Sequence, residues 1–345
     1  MIRCAFLLAL VIPLAAVAAN YSARQTTVDS VDVVLLADAA SATEVAIAPS
    51  AGNIVYEMKV KGNNILFVPD GLPARLRQRP SMTGIPFVGP WVNRLDQDAY
   101  YANGKKYILN PGLNNVGRDQ NKNPMHGVLT GSSAWKVVAV TADSGSASVT
   151  SRLEFWKYPD LMAQFPFAHV IEITYRLRGG ELEVETAFQN LSEEPMPLSF
   201  GYHPYFRVLD APRDKWKLHL AAREQLVLNP QLLPTGERKP APSPDPLPLA
   251  GISLDDAFTD LVRGADGRAE FWVEGDRQRI TVIFGPKYTS AVVFSPGSRG
   301  LICIEPMVAI TNALNLSQRG VYHELQSVPP GGSWRESFWV RPSGF

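Results

Sequence analysis

His169-Val170-Ile171-Glu172-Ile173-Thr174-Tyr175-Arg176-Leu177 alternates without a break: Ile171, Ile173 and Tyr175 fall on one side, Glu172, Thr174 and Arg176 on the other. A repeat of two is the period of a strand with one wet face. Glu181 to Phe188 alternates again, with Leu182 and Val184 set against Glu181, Glu183 and Glu185. Further out, Val31 to Leu36, Glu44 to Ile47 and Ile54 to Val60 are short strand-like runs separated by Ala, Ser and Gly, and Trp334 to Val340 repeats the alternation less cleanly. No long segment carries a 3.6-residue period; a short helical turn near Ala309 to Leu314 is the most the pattern allows. Many alternating strands with Gly, Pro, Asn and Asp between them predict an all-β chain, a large antiparallel β-sandwich or barrel. The lack of a fixed repeat excludes a regular propeller. Residues 20–30 are polar and read as a frayed start. Asn229 to Gly251 holds Pro240, Pro242, Pro244, Pro246 and Pro248 and reads as a long surface loop that edges a cleft, not as a central strand. Strand character is the same on both sides of it, so residues 20–345 are expected to form a single domain.

Composition narrows the function classes. The 345 residues carry zero formal net charge, which leaves no basic footprint for nucleic acid or an anionic membrane. Arg3 precedes an apolar run from Cys4 to Val17, and Ala16-Val17-Ala18-Ala19 offers small residues for cleavage. That pattern reads as a signal peptide over residues 1–19 and predicts an exported protein, periplasmic or secreted, with no membrane attachment after cleavage; the other reading is an uncleaved anchor. Past that segment Cys303 is the one cysteine, so no internal disulfide is available. In Leu301-Ile302-Cys303-Ile304 it reads as a small buried hydrophobe.

Five short stretches hold residues able to do chemistry. In Ser199-Phe200-Gly201-Tyr202-His203-Pro204-Tyr205-Phe206, Pro204 lacks an N–H and should stop strand pairing, which puts His203 at a strand end where it can exchange protons. Ile302-Cys303-Ile304-Glu305-Pro306 repeats the design with a carboxylate: Glu305 is expected at a strand end, half desolvated, with a raised pKa. Asn93 and Arg94, in a Gly- and Pro-rich stretch, supply donors and an acceptor suited to vicinal hydroxyls. His126 in Pro124-Met125-His126-Gly127 and Asp255 in Leu254-Asp255-Asp256-Ala257-Phe258 are further candidates for binding. Each residue also has a plain structural reading: a satisfied core histidine, an Arg–carboxylate pair, an Asx turn, a strand-terminal acid. No histidine has zinc-ligand spacing, and there is no phosphate loop or dinucleotide fingerprint, so neither metal nor cofactor is expected.

The order of these motifs resembles the aldose 1-epimerase (galactose mutarotase) family: Asn93-Arg94, Met125-His126-Gly127, His203 to Phe206, Leu233 to Glu237, Asp255 to Phe258, Cys303 to Pro306, then Thr311 to Asn315. The resemblance covers the chain from about Val33 to its end. It implies a galactose mutarotase-like supersandwich with Glu305 as general base and His203 as general acid. Asn93, Arg94, His126 and Asp255 would hold an aldose such as glucose or galactose, with Trp91 or Phe87 as stacking surfaces and Tyr205 and Phe206 as supports of His203. It implies a small-molecule substrate, no cofactor, and a monomer or weak dimer. Two alternatives stand beside it: a hexose-6-phosphate 1-epimerase with Arg94, Arg118 or Lys122 as clamp, and a non-catalytic carbohydrate-binding sandwich.

Overall fold

The computed structural model describes residues 20–69, 75–76 and 82–345; the expected signal segment lies outside them. His169–Arg178 and Glu181–Asn190 form an antiparallel hairpin in register from His169 opposite Asn190 to Arg178 opposite Glu181. Gly179 and Gly180 turn it with φ of 57° and 76°, the two consecutive positive values that a tight two-residue hairpin turn requires. Ile171, Ile173, Tyr175, Leu182 and Val184 are buried, whereas Glu172 and Glu183 pair on the other face with Arg152 and Arg176.

This hairpin is the middle of a nine-stranded sheet that continues through Ser333–Ser343, Arg279–Phe284 and Ala269–Glu274. An eight-stranded sheet contains Ala222–Leu228, Leu254–Leu261, Ser290–Ser295, Ile302–Met307, Gly201–Tyr202 and Tyr205–Phe206. One apolar cluster joins the two: Ile171, Val184, Val282 and Phe338 from the first, Phe258, Val293, Ile302 and Ile304 from the second. Each such side chain contributes about 1.5–3 kcal/mol by leaving water. A five-stranded sheet from Tyr21 to Asn64 completes the all-β architecture. Among the described residues no helix is long and apolar enough to cross a membrane.

Three expectations change. Residues 20–30 are not frayed: Tyr21–Val28 pairs along its whole length with Val31–Asp38, turning through Asp29 and Ser30, both at positive φ. Its polarity reflects an edge position, where side chains meet water on both sides. The proline-rich segment is not all loop. Pro234–Pro240 is the edge strand of the eight-stranded sheet, and Leu247–Pro248 pairs at the end of the nine-stranded one. Edge strands tolerate prolines because their outward N–H groups have no ladder partner to lose. The helical turn is Ala313–Gln318, four residues later than expected, and a second short helix spans Pro159–Gln164.

Candidate active site

Alternation in Ile302–Met307 decides which way each side chain faces. Ile302 and Ile304 enter the main core, so Cys303 and Glu305 face the opposite side of the sheet. Glu305 lies inside this strand rather than at its end. Pairing continues past Pro306 because Ser290 and Gly201 both oppose Met307. Cys303 lies in a cross-strand row with Tyr205, Phe294 and Asp255. Glu305 lies in the next row, opposite Val292.

The chain does break at His203-Pro204, between Gly201–Tyr202 and Tyr205–Phe206. The His203 N–H donates to the Pro86 carbonyl and the Tyr205 N–H to the Gly84 carbonyl, so the interruption is held from the neighbouring strand. The Tyr205 ring stacks on the imidazole at 4.7 Å and 13°. His203 Nε2 thereby comes within 3.1 Å of Glu305 Oε1. The contact is short but not aligned as a hydrogen bond, and neither Glu305 oxygen has any hydrogen-bond partner. His203 is 8% exposed and Glu305 fully buried.

Burial pushes the Glu305 carboxyl well above the usual carboxylate range; Asp255 adds to this and Arg94 opposes it. Burial pushes His203 well below the usual imidazole range, with help from His126 and Arg94. Burial thus drives both groups toward their neutral forms.

The other predicted residues gather around this pair. The His126 ring stands edge-on to His203 at 5.4 Å. His126 and Gly127 both have positive φ, and the Gly127 backbone lies against Gly89 so closely that a Cβ would come within 1.9 Å of the Gly89 carbonyl oxygen. The His126 N–H donates to the Asn93 carbonyl, which ties the two motifs together. Asn93 Oδ1 accepts from the Arg94 guanidinium at 2.9 Å. Arg94 Nε donates to Asp119 at 2.8 Å, and its other end comes within 3.9 Å of Asp255. Asp255 is within Leu254–Leu261 and partly exposed; burial raises its pKa, partly offset by Arg94. Polar character thus runs inward from Asp255 through Arg94 and His126 to the buried His203–Glu305 pair.

Asp119 is the residue that sequence reasoning passed over as part of this site; Cys303 packs beside it with Tyr205 and Leu301. Asp119 accepts the N–H groups of Asn121 and Asn123 at 2.9 Å each and fixes Arg94 from behind. Burial raises its pKa, but the bonds from Arg94 and the two backbone N–H groups outweigh burial and hold it below the usual range. An acid closing a turn two residues on was the readable signal. Thr311 to Asn315 acquires a role too: Asn312 accepts the Asp96 N–H and Asn315 donates to Asp96, which anchors the Asn93-Arg94 loop to the short helix. Trp91 and Phe87 do not face the cleft as stacking surfaces. Both are buried in the main core, Trp91 beside Tyr100 and Phe87 against Tyr202 and Trp135. Large aromatic area is worth most in a core, and that position won. Phe294, in the Asp255–Cys303 row and partly exposed, is the aromatic next to the site. A hollow of about 490 Å³ opens along Gln25 to Thr27 and Trp135 to Val137, but Asp32 is its one acid and it holds no histidine to act with it.

The architecture is shared with solved proteins. A galactose mutarotase-like protein from Clostridium acetobutylicum aligns with TM-score 0.83 at 22% identity, covering 94% of this chain and 99% of that one. A protein from Synechocystis sp. PCC 6803 aligns at 0.71 and 27% identity, covering 91% and 96%. A galactose 1-epimerase from Lactobacillus acidophilus NCFM aligns at 0.72 and 14% identity, covering 94% and 99%. The sequence profile of the aldose 1-epimerase family matches residues 33–341, nearly the whole described chain. The chain belongs to the aldose 1-epimerase family.

Proposed function

We propose that this chain interconverts the α and β anomers of free hexoses such as glucose or galactose. The carrying observation is the 3.1 Å approach of His203 Nε2 to Glu305 Oε1, one basic and one acidic group side by side in a buried site. Anomerisation asks for that arrangement. The anomeric hydroxyl and the ring oxygen are bonded to the same carbon, so the group that takes a proton and the group that gives one must be neighbours. The step starts from the form with Glu305 ionised and the proton on His203: Glu305 accepts the proton of the C1 hydroxyl while His203 delivers its own to the ring oxygen. The C1–ring oxygen bond breaks, a C=O forms at C1, rotation about C1–C2 presents the other face, and closure returns both protons. One proton is taken and one given, so the pair ends as it began. Each group is expected to contribute roughly 10²–10⁴-fold.

Arg94, Asp255, Asn93 and His126 are proposed to hold the hydroxyls away from C1. Burial pushes His126 down to about 3, with Arg94 adding to the effect, so it is neutral and able to accept as well as donate. Tyr205 holds the His203 ring in place by stacking. Of the residues named for a phosphate clamp, Arg118 is engaged with Asp98 and the Lys122 carbonyl, and Arg94 with Asp119; comparing glucose with its 6-phosphate separates the two readings. The proposal includes export with cleavage after residue 19; N-terminal sequencing of the mature protein tests that part.

The activity test is polarimetry of freshly dissolved α-glucose, α-galactose and glucose 6-phosphate with purified protein. Acceleration on the free sugars exceeding that on the phosphate is the expected result. No acceleration over buffer on any of the three overturns the proposal.

A further inference from the structure

Cys303 has no part in the proton transfers above, yet it faces the same side of the sheet as Glu305. The imidazole nitrogen of His203, the Cys303 sulfur and a Glu305 oxygen all lie within 4.8 Å of one another. A tetrahedral zinc ion sets its nitrogen, oxygen and sulfur ligands about 3.4–3.6 Å apart, given bond lengths of about 2.0–2.3 Å. The His203–Glu305 distance of 3.1 Å is already near that value, so side-chain adjustments of about 1 Å close the set. The second observation is the carboxylate itself: Glu305 is fully buried, both oxygens lack hydrogen-bond partners, and His203 Nδ1 lacks one too. No basic side chain forms a salt bridge with Glu305 besides His203 among the described residues.

We infer that His203, Cys303 and Glu305 form an inhibitory site for a soft divalent cation, with Zn²⁺ the best match. The charge sum suits a buried position. A thiolate and a carboxylate neutralise the cation, imidazole completes three protein ligands, and a fourth position remains for water. The thiol proton, and any proton carried by the His203–Glu305 pair, leave to solvent as the cation binds; no oxidation or reduction takes place. Sequence spacing hides the site, because residue 203 meets residues 303 and 305 only across the Tyr205–Cys303 strand pairing. The bound cation occupies both proton-transfer groups, so sugar turnover and metal occupancy exclude each other. The cation is an inhibitor of this site, not a cofactor. Inhibition rests on the proposed anomerase reading; binding does not.

The experiment titrates full-length protein with Co²⁺ alone and follows its absorption, then titrates Zn²⁺ against activity. The expected result is a thiolate-to-cobalt charge-transfer band with tetrahedral visible bands, bleached by Zn²⁺. Removing one of the three protein ligands should weaken binding by at least about 100-fold, the upper range for losing a mere outer-shell partner. Cys303→Ala and Cys303→Ser should therefore lose the band and resist Zn²⁺ inhibition while still accelerating mutarotation without metal. Octahedral cobalt spectra with no thiolate band in the wild type overturn the inference, as does Zn²⁺ inhibition of equal strength in either folded variant. If neither variant folds, the wild-type cobalt spectrum alone decides. If mutarotation is absent but the band appears, the proposed function falls and the metal site stands.

Discussion

Asp119→Asn is a sharp perturbation of the proposed substrate binding because Asp119 lies buried behind Arg94. Asp119 contacts Arg94 Nε at 2.8 Å, and its side chain is 1% exposed. The substitution keeps shape and volume but removes the charge. A hydrogen bond to a charged group is worth about 1.5–3 kcal/mol, and its loss leaves a buried guanidinium with only Asn93 nearby and Asp255 at 3.9 Å. Converted, that is about 10- to 150-fold in kcat/KM. The split matters more than the size. Arg94 is assigned to hydroxyls away from C1, which are held equally in ground and transition states, so KM should rise while kcat stays within about threefold. Initial-rate polarimetry over a range of α-galactose concentrations measures both. Unchanged KM, or a fall in kcat alone, would refute the view that Asp119 works by fixing a sugar-binding Arg94. The low pKa of Asp119 sets the pH range: its pairing is complete above about 4, the unfolded value, and is lost as pH falls through the lower folded value.

Two further outcomes follow from burial and backbone geometry. Burial holds His169 near 4 and His126 near 3, below the unfolded value of about 6.5. Stability is therefore full above about pH 6.5 and lost on acidification, by about 2 kcal/mol per histidine at pH 5. His169→Phe, which keeps the stack on Phe155, should remove one share of that slope in urea titrations at pH 7 and 5; an unchanged slope would count against it. Gly127→Ala places a Cβ on the Gly89 carbonyl oxygen at φ 67° and should cost about 3 kcal/mol or more along with activity. Gly179→Ala, with φ 57° but nothing within 4 Å, is its control at about 1–2 kcal/mol, the strain of the left-handed backbone without the clash, and equal melting temperatures for the two would sink the argument.

Strand alternation made the sandwich legible, because Ile171, Ile173 and Tyr175 can be buried together only in a period-two element. The His203-Pro204 break was legible for a similar reason: proline has one local consequence that needs no tertiary context. What stayed hidden was long-range. Pro306 gave the same local signal as Pro204, yet the ladder runs through it because both flanking residues keep partners. Trp91 and Phe87 looked like sugar platforms, but nothing in Gly84 to Leu95 states on which side of the sheet the rings fall. Asp119 meets Arg94, and Cys303 comes near His203, across 25 and 100 residues of sequence, spacings that no local pattern encodes.

The pairing of His203 with Glu305 is the centre of this account, and two variants address it directly. Glu305→Gln keeps shape and His203→Asn keeps a planar polar group in a smaller volume, and each removes one proton-transfer group. Polarimetry under saturating α-galactose should show kcat reduced by about 10²–10⁴-fold in each, with KM little changed. The double variant should be no slower than the worse single one, since the two groups act on one pair of protons. If either single variant keeps kcat within about threefold of the wild type while folded, acid–base catalysis by this pair is wrong.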